Sequence, residues 1–290
     1  MIGKNTITYF VGIGAQKAGT TWLSEYFYSH PDVYMSPYKE MHYFDSKLLW
    51  RNASDNWRLW LRRRQIDLTK YGPENSLQTF QQSEAAQKLY LQTCMRSDKA
   101  YREFLDLGAE GKSAAGEITP NYTDLDAKGF AYIDKCLPGC KFILLMRNPV
   151  ERFRSQLSMD RNKGMHRLYR TANVSRASRH ILYKYRGNYK RTIEEVEKAV
   201  GPDRLLISFY ESLFDPGMVQ QEVRKICAHI NVRYIQPNIN LRPKETKKKQ
   251  QFSGDDREFL VKFHAESYRY LYERTGGILP ESWKEDLKYL

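Results

Sequence analysis

The sequence predicts an α/β fold of three layers: a central parallel sheet with helices on both faces, and a phosphate-cradling loop of P-loop-like type at its first strand-to-helix turn. Two patterns and one turn carry this expectation. Short apolar runs alternate with helical patterns along the chain, the arrangement that builds a doubly covered sheet. The runs are continuously apolar, as in FILLM at Phe142–Met146, which marks strands buried on both faces. And the first run ends directly in the small-residue turn GAQKAGTT.

Taken in order, the strands are expected at Thr8–Ile13, Val33–Ser36, Ala114–Glu117, Lys141–Met146 and Arg204–Phe209. Helices are expected near Thr21–Tyr28, Ser83–Thr93, Ala127–Lys135, Pro149–Arg161, Asn188–Val200, Met218–Ile230 and Asp255–Arg274. Crossovers between such strands are right-handed, and ligands bind at the carboxyl ends of the strands. Trp50–Leu107 is rich in charge and aromatics without a clear strand. It reads as a helical insertion, about 50–107, near the acceptor side of a single domain spanning residues 1–290. Asn238–Phe252, NINLRPKETKKKQQF, reads as a mobile basic loop before a last helix.

The 290 residues hold 47 Lys+Arg against 34 Asp+Glu, a net charge of +13. That surplus favours anionic partners, although most of these lysines read as solvated surface. Mean hydropathy is −0.69. No run is long and apolar enough to span a bilayer, and the chain enters its first strand without a leader-like segment. The expectation is therefore a cytoplasmic protein with no membrane partner. The cysteines Cys94, Cys136, Cys140 and Cys227 lack paired metal-ligand spacing. Reduced thiols are expected, Cys136 and Cys140 included.

The turn deserves comparison with two known phosphate loops. Gly14 and Gly19 have the Walker A separation, but Thr20 stands where its lysine belongs. Gly12 and Gly14 begin a dinucleotide fingerprint, but Lys17 occupies its third glycine position. The loop is thus of a third kind, with Lys17 inside it, where the ammonium lies alongside a transferred group and its leaving oxygen. Thr20 or Thr21 caps the following helix, and Leu23, Tyr26 and Phe27 form its apolar stripe. The helix start adds backbone N–H groups and dipole for an anion. An ordinary β-to-α turn with an exposed lysine fits this stretch equally well when it is taken alone.

A second segment, KFILLMRNPVERFRSQL, repeats the logic. Its strand delivers Arg147 to the carboxyl end. Asn148 suits a helix cap, Pro149 the first helical position, and Glu151 a capping-box arrangement. Ser155 follows about two turns into that helix, at ~3.6 residues per turn. An arginine fork and a hydroxyl suit a dianionic phosphate. On the acceptor side stands YKEMHYFD, Tyr38–Asp45. If extended, it points Glu40 and His42 to one face. A carboxylate or imidazole there can take the proton of an acceptor hydroxyl. Tyr43 and Phe44 also read as core.

QKAGTTWL resembles the 5′-phosphosulfate loop of the sulfotransferases that use 3′-phosphoadenosine-5′-phosphosulfate (PAPS), whose pattern Lys-x-Gly-Thr-Thr-Trp is met by Lys17, Gly19, Thr20, Thr21 and Trp22 around Ala18. The resemblance implies that Lys17 contacts the sulfuryl group and bridging oxygen, and that Thr20 and Thr21 hold the 5′-phosphate. Arg147 and Ser155 resemble that family's 3′-phosphate motif. Glu40, His42 and Asp45 match the acceptor motif of its heparan-sulfate-type members, in which the glutamate is the base. Glu117, Thr119, Pro120 and Tyr122 match a further motif of that group, except that Ile118 replaces a lysine. This departure counts against a heparan-like polysaccharide. The basic Arg-Lys-Gly of cytosolic members is answered only by LRPKETKKK, with Arg242, Lys244 and Lys247.

The resemblance implies the sulfotransferase fold and transfer of a sulfuryl group from PAPS to a hydroxyl of a small-molecule natural product or carbohydrate. Glu40 is the base, assisted by His42, with no metal required and no nucleic-acid partner. Two alternatives stay open: a P-loop kinase using ATP and Mg²⁺, and a non-enzymatic polyanion or nucleic-acid binder suggested by the +13 charge.

Overall fold

A computed structural model of the chain describes residues 7–36, 40–48, 97–162, 174–178, 186–237 and 252–290. The expected strands all form: β1 (Thr8–Gly14), β2 (Val33–Met35), β3 (Ala114–Ile118), β4 (Lys141–Met146) and β5 (Leu205–Phe209). They make one five-stranded sheet in the order β2-β3-β1-β4-β5, and every pairing is parallel. β3 is buried along its whole length and β4 at all but its first residue, as continuous apolar runs require.

The helices follow in chain order: α1 (Thr20–Ser29), α2 (Tyr43–Leu48), α3 (Asp98–Gly108), α4 (Ala127–Cys136), α5 (Pro149–Asn162), α6 (Val174–Ser178), α7 (Tyr189–Val200), α8 (Tyr210–Leu213), α9 (Val219–His229), α10 (Gly254–Phe263), α11 (Ala265–Arg274) and α12 (Glu281–Lys284). The expected helix at Ser83–Thr93 and nearly all of the basic loop before Phe252 lie outside the described residues, as does most of the 50–107 insertion. Its end, from Ser97 onward, is helical, and the Ser97 hydroxyl caps α3. One expectation is corrected here: Asp255–Arg274 is not one helix. The chain breaks at His264, which is buried and packs against Gly187 so closely that a Cβ there would lie 2.6 Å from the ring. The break coincides with the buried imidazole, whose pKa burial pushes down to about 3.

β1 sits at the centre of the sheet, with β2 and β3 to one side and β4 and β5 to the other. The turn after β1 therefore lies where the strand order reverses, the position at which open α/β sheets take ligands. The stripe Leu23, Tyr26 and Phe27 of α1 is buried as expected. Cys136, Cys140 and Cys227 are buried free thiols. Among the described residues no helix is long and apolar enough to cross a membrane.

Candidate active site

The first loop leaves β1 at Gly14, where φ is +147° and a Cβ would lie 2.5 Å from Thr123 Cγ2. Only glycine fits so close an approach. Lys17 and Gly19 both have left-handed backbones, with φ of 72° and 89°. Gly19 is the cap of α1, and no side chain bonds into that cap. The expected threonine cap is therefore corrected: Thr20 and Thr21 are already helical. A residue entering a helix from the left-handed region is best served by glycine, so the turn itself does the capping. Trp22 is buried in α1 and Ala18, within the loop, is fully buried. The Lys17 ammonium lies 3.8 Å from the Met159 sulfur on α5.

The second expected anion motif meets the first. Arg147 follows the end of β4, and its Nη1 donates to the Lys17 carbonyl at 3.3 Å. Its guanidinium lies over the Tyr210 ring, 4.3 Å from the centroid. Tyr189 OH donates to the Arg147 carbonyl at 2.7 Å. The fork is thus held by the Lys17 carbonyl and the Tyr210 ring, and Tyr189 anchors the backbone that carries it, at a half-buried position. Asn148 caps α5 as expected, its Oδ1 accepting from Val150 and Glu151 N–H at 3.0 and 3.1 Å. The capping box is not completed. The Asn148 N–H goes to Glu211 at 2.9 Å, and Glu151 pairs instead with Arg154 and Arg257. Ser155 lies half-buried on α5, one turn before Met159.

On the acceptor side the expected extended geometry is corrected. Glu40 and His42 have φ of 59° and 55°, so the chain curls before α2 instead of running straight. The pair still converges. His42 Nε2 stands 3.8 Å from Glu40 Oε2 and His42 Nδ1 2.7 Å from Asp45 Oδ2. Burial works to lower the pKa of His42, but the bonds to Asp45 and Glu40 outweigh it and raise it to about 10. At neutral pH this ring is an imidazolium held between two carboxylates. Tyr43 and Phe44 are core, buried against Tyr101 and Tyr122.

Several site-supporting residues carry no signal in the sequence. Arg186 donates to Gln16 of the first loop and, at 3.3 Å, to Asn121 beyond β3. Asp286 is fully buried and accepts from Asn148 Nδ2, Tyr268 OH and Arg257 Nε, each at 2.7 Å. These partners are far apart in the chain, and nothing local marks them. Tyr189 is marked only as an aromatic just after the Gly187–Asn188 turn. Among the described residues no cluster of His, Cys, Asp or Glu could hold a metal ion.

The structure is an α/β scaffold whose parallel sheet brings the segments carrying Lys17 and Arg147 together at its switch point. The chain belongs to the sulfotransferase family, whose model matches residues 10–236. It is similar in structure to a sulfotransferase from Alicyclobacillus acidocaldarius, at 21% identity and a TM-score of 0.62, covering 96% of this chain and 99% of that one. At that identity the likeness shows the fold alone, and the fold is the three-layer α/β architecture expected. A sulfotransferase domain of the Synechococcus PCC 7002 olefin synthase matches at 20% identity and a TM-score of 0.46, covering 79% of this chain and 74% of that one. One from the curacin biosynthetic pathway matches at 19% and 0.48, covering 79% and 75%. These two are too distant to carry an argument. No curated protein matches the chain.

Proposed function

We propose that this chain, acting as one domain, transfers a sulfuryl group from PAPS to a hydroxyl of a small-molecule natural product or carbohydrate. The observation that carries the reading is the bond from Arg147 Nη1 to the Lys17 carbonyl at 3.3 Å. It joins two anion motifs that lie 130 residues apart, as one nucleotide with a phosphate at each end would need. Lys17, Ala18, Gly19, Thr20, Thr21 and Trp22 form the 5′-phosphosulfate loop, and Arg147 with Ser155 takes the 3′-phosphate.

Glu40 accepts the acceptor's hydroxyl proton as the new sulfur–oxygen bond forms. The bond from sulfur to the 5′-phosphate oxygen breaks, and the electron pair leaves on the bisphosphate. Lys17 stabilises that charge as a positioned cation. His42 is already protonated, so it orients Glu40 and does not compete for the proton. The chemistry needs no metal, and the partner is the acceptor alone, not nucleic acid or membrane. The reading places the protein in the cytoplasm.

Calorimetry with 3′,5′-adenosine bisphosphate against ATP–Mg²⁺, on wild type and Arg147→Ala, tests the donor. Two charge-assisted bonds of about 1.5–3 kcal/mol each, partly offset by re-solvating the phosphate, predict a loss of about 100-fold in bisphosphate affinity. Preference for ATP–Mg²⁺, or bisphosphate binding indifferent to Arg147, would remove the reading in favour of a kinase or a general polyanion binder.

A further inference from the structure

Beneath the acceptor-side loop lies a fully buried carboxylate that the proposed mechanism does not use. Glu117, on β3, accepts three hydroxyl hydrogens: Tyr101 OH at 2.7 Å, Thr119 Oγ1 at 2.6 Å and Tyr122 OH at 2.9 Å. A carboxylate offers only acceptors, and each hydroxyl has one hydrogen to give. Once spent on Glu117, the oxygens of Thr119 and Tyr122 face outward as acceptors. They meet the backbone at the start of α2. Tyr43 N–H donates to Tyr122 OH at 3.0 Å, Phe44 N–H to the same oxygen at 3.3 Å, and His42 N–H to Thr119 Oγ1 at 3.5 Å.

These N–H groups are among those a helix start leaves without an intrahelical partner. Here they are satisfied from 77 to 79 residues away. All hydrogens in this relay run one way, from backbone N–H to hydroxyl to carboxylate. The segment that supplies the hydroxyls also borders the donor loop: Thr119 N–H donates to the Gly12 carbonyl at 2.9 Å, and Thr123 fills the space beside Gly14.

We propose that Glu117 is a positioning residue for the acceptor side, fixing through Tyr122 and Thr119 the curled backbone that brings Glu40 to His42. The role given to that pair rests on the function proposed above. Burial pushes the Glu117 carboxyl up, and the three hydroxyl bonds work against that shift. Removing the relay leaves the core rings in place but frees the left-handed residues Glu40 and His42 before α2, whose conformation is unfavourable for L side chains without support.

The test compares wild type with Tyr122→Phe, which keeps the ring and deletes the acceptor oxygen, and with Glu117→Gln, which puts a donor into the relay. Amide exchange at Tyr43 and Phe44, nitrogen-detected titration of the His42 ring, and affinity for 3′,5′-adenosine bisphosphate are read on the same samples. The proposal expects exchange at least about tenfold faster, as loss of one buried bond of ~1.4 kcal/mol gives. It also expects a His42 transition lowered by at least about one pH unit as its carboxylates drift away, with bisphosphate affinity kept. A His42 titration unchanged in Tyr122→Phe would overturn the positioning role, because a purely structural bond would not move that ring. Should Glu117→Gln not fold, Tyr122→Phe decides alone. Failure of wild type to bind bisphosphate would strike the proposed function, and the His42 and exchange readings would still judge the relay.

Discussion

Raising the pH through the His42 transition perturbs the acceptor side without a mutation. The ring's pKa stands at about 10 against an ordinary 6.5. Each pH unit of such a displacement is about 1.4 kcal/mol, so full coupling would approach about 5 kcal/mol. The side chains of His42 and Glu40 are 31% and 33% exposed, and solvent screening reduces the expected contribution to about 1–2 kcal/mol. The sign follows from the direction. The folded pKa lies above the unfolded one, so the stabilisation is complete below about pH 6.5 and is lost as pH rises through about 10. Urea melts of wild type and His42→Gln should therefore differ by about 1–2 kcal/mol near pH 6, and converge above about pH 10. The same protonation state means that the pH–rate profile of sulfuryl transfer has no limb near pH 6.5 belonging to His42. A ring titrating near 6.5, or a melt difference that does not change with pH, would refute the carboxylate sandwich and return His42 to the list of bases.

Three further outcomes are expected. Lys17→Ala slows sulfuryl transfer by about 10²–10³, the usual loss for one positioned electrostatic group, as measured by release of 3′,5′-adenosine bisphosphate from PAPS. Glu40→Gln keeps calorimetric affinity for the bisphosphate and loses about 10²–10⁴ in rate; equal loss of both would mean that Glu40 belongs to the donor site. Asp286→Ala leaves the Arg257 guanidinium, Tyr268 OH and Asn148 Nδ2 without their shared acceptor. It should cost about 3 kcal/mol in urea denaturation and weaken bisphosphate binding by loosening the turn that carries Arg147.

The sheet was legible because its signal is local. Phe142–Met146 is apolar at every position and β4 forms where that run stands; the other strands lie within a residue of expectation for the same reason. The Asn148 cap was legible too, since Asn-Pro before a helical pattern has one good use. Conformations set by tertiary contact were not. Threonines after a glycine read as caps, yet Gly19, left-handed and 3.2 Å in Cβ space from Phe214 and Tyr210, does the work. Alternation in YKEMHYFD read as extended chain, yet Tyr122 and Thr119 draw the backbone into a curl. His264 sits in a helical pattern and breaks it, because Gly187 leaves a place for its ring. For the curl and for the break at His264 the deciding partner is a residue elsewhere in the fold, and no window along the chain contains both; at Gly19 the deciding feature is its left-handed backbone, which residue type alone does not fix.

The place of Lys17 before Gly19 then acquires a physical reason under the proposed function. A lysine just after the last glycine would sit in the first turn of α1, sharing the helix terminus with the anion held there. Lys17 instead precedes the cap with its own left-handed backbone, and its carbonyl is turned to the Arg147 guanidinium. The N–H groups and dipole at the start of α1 are left for the 5′-phosphate, while the ammonium stands to one side, against Met159 on α5. Separating the two charges lets one hold the nucleotide through the whole cycle and the other act on charge that appears only as the sulfur–oxygen bond breaks.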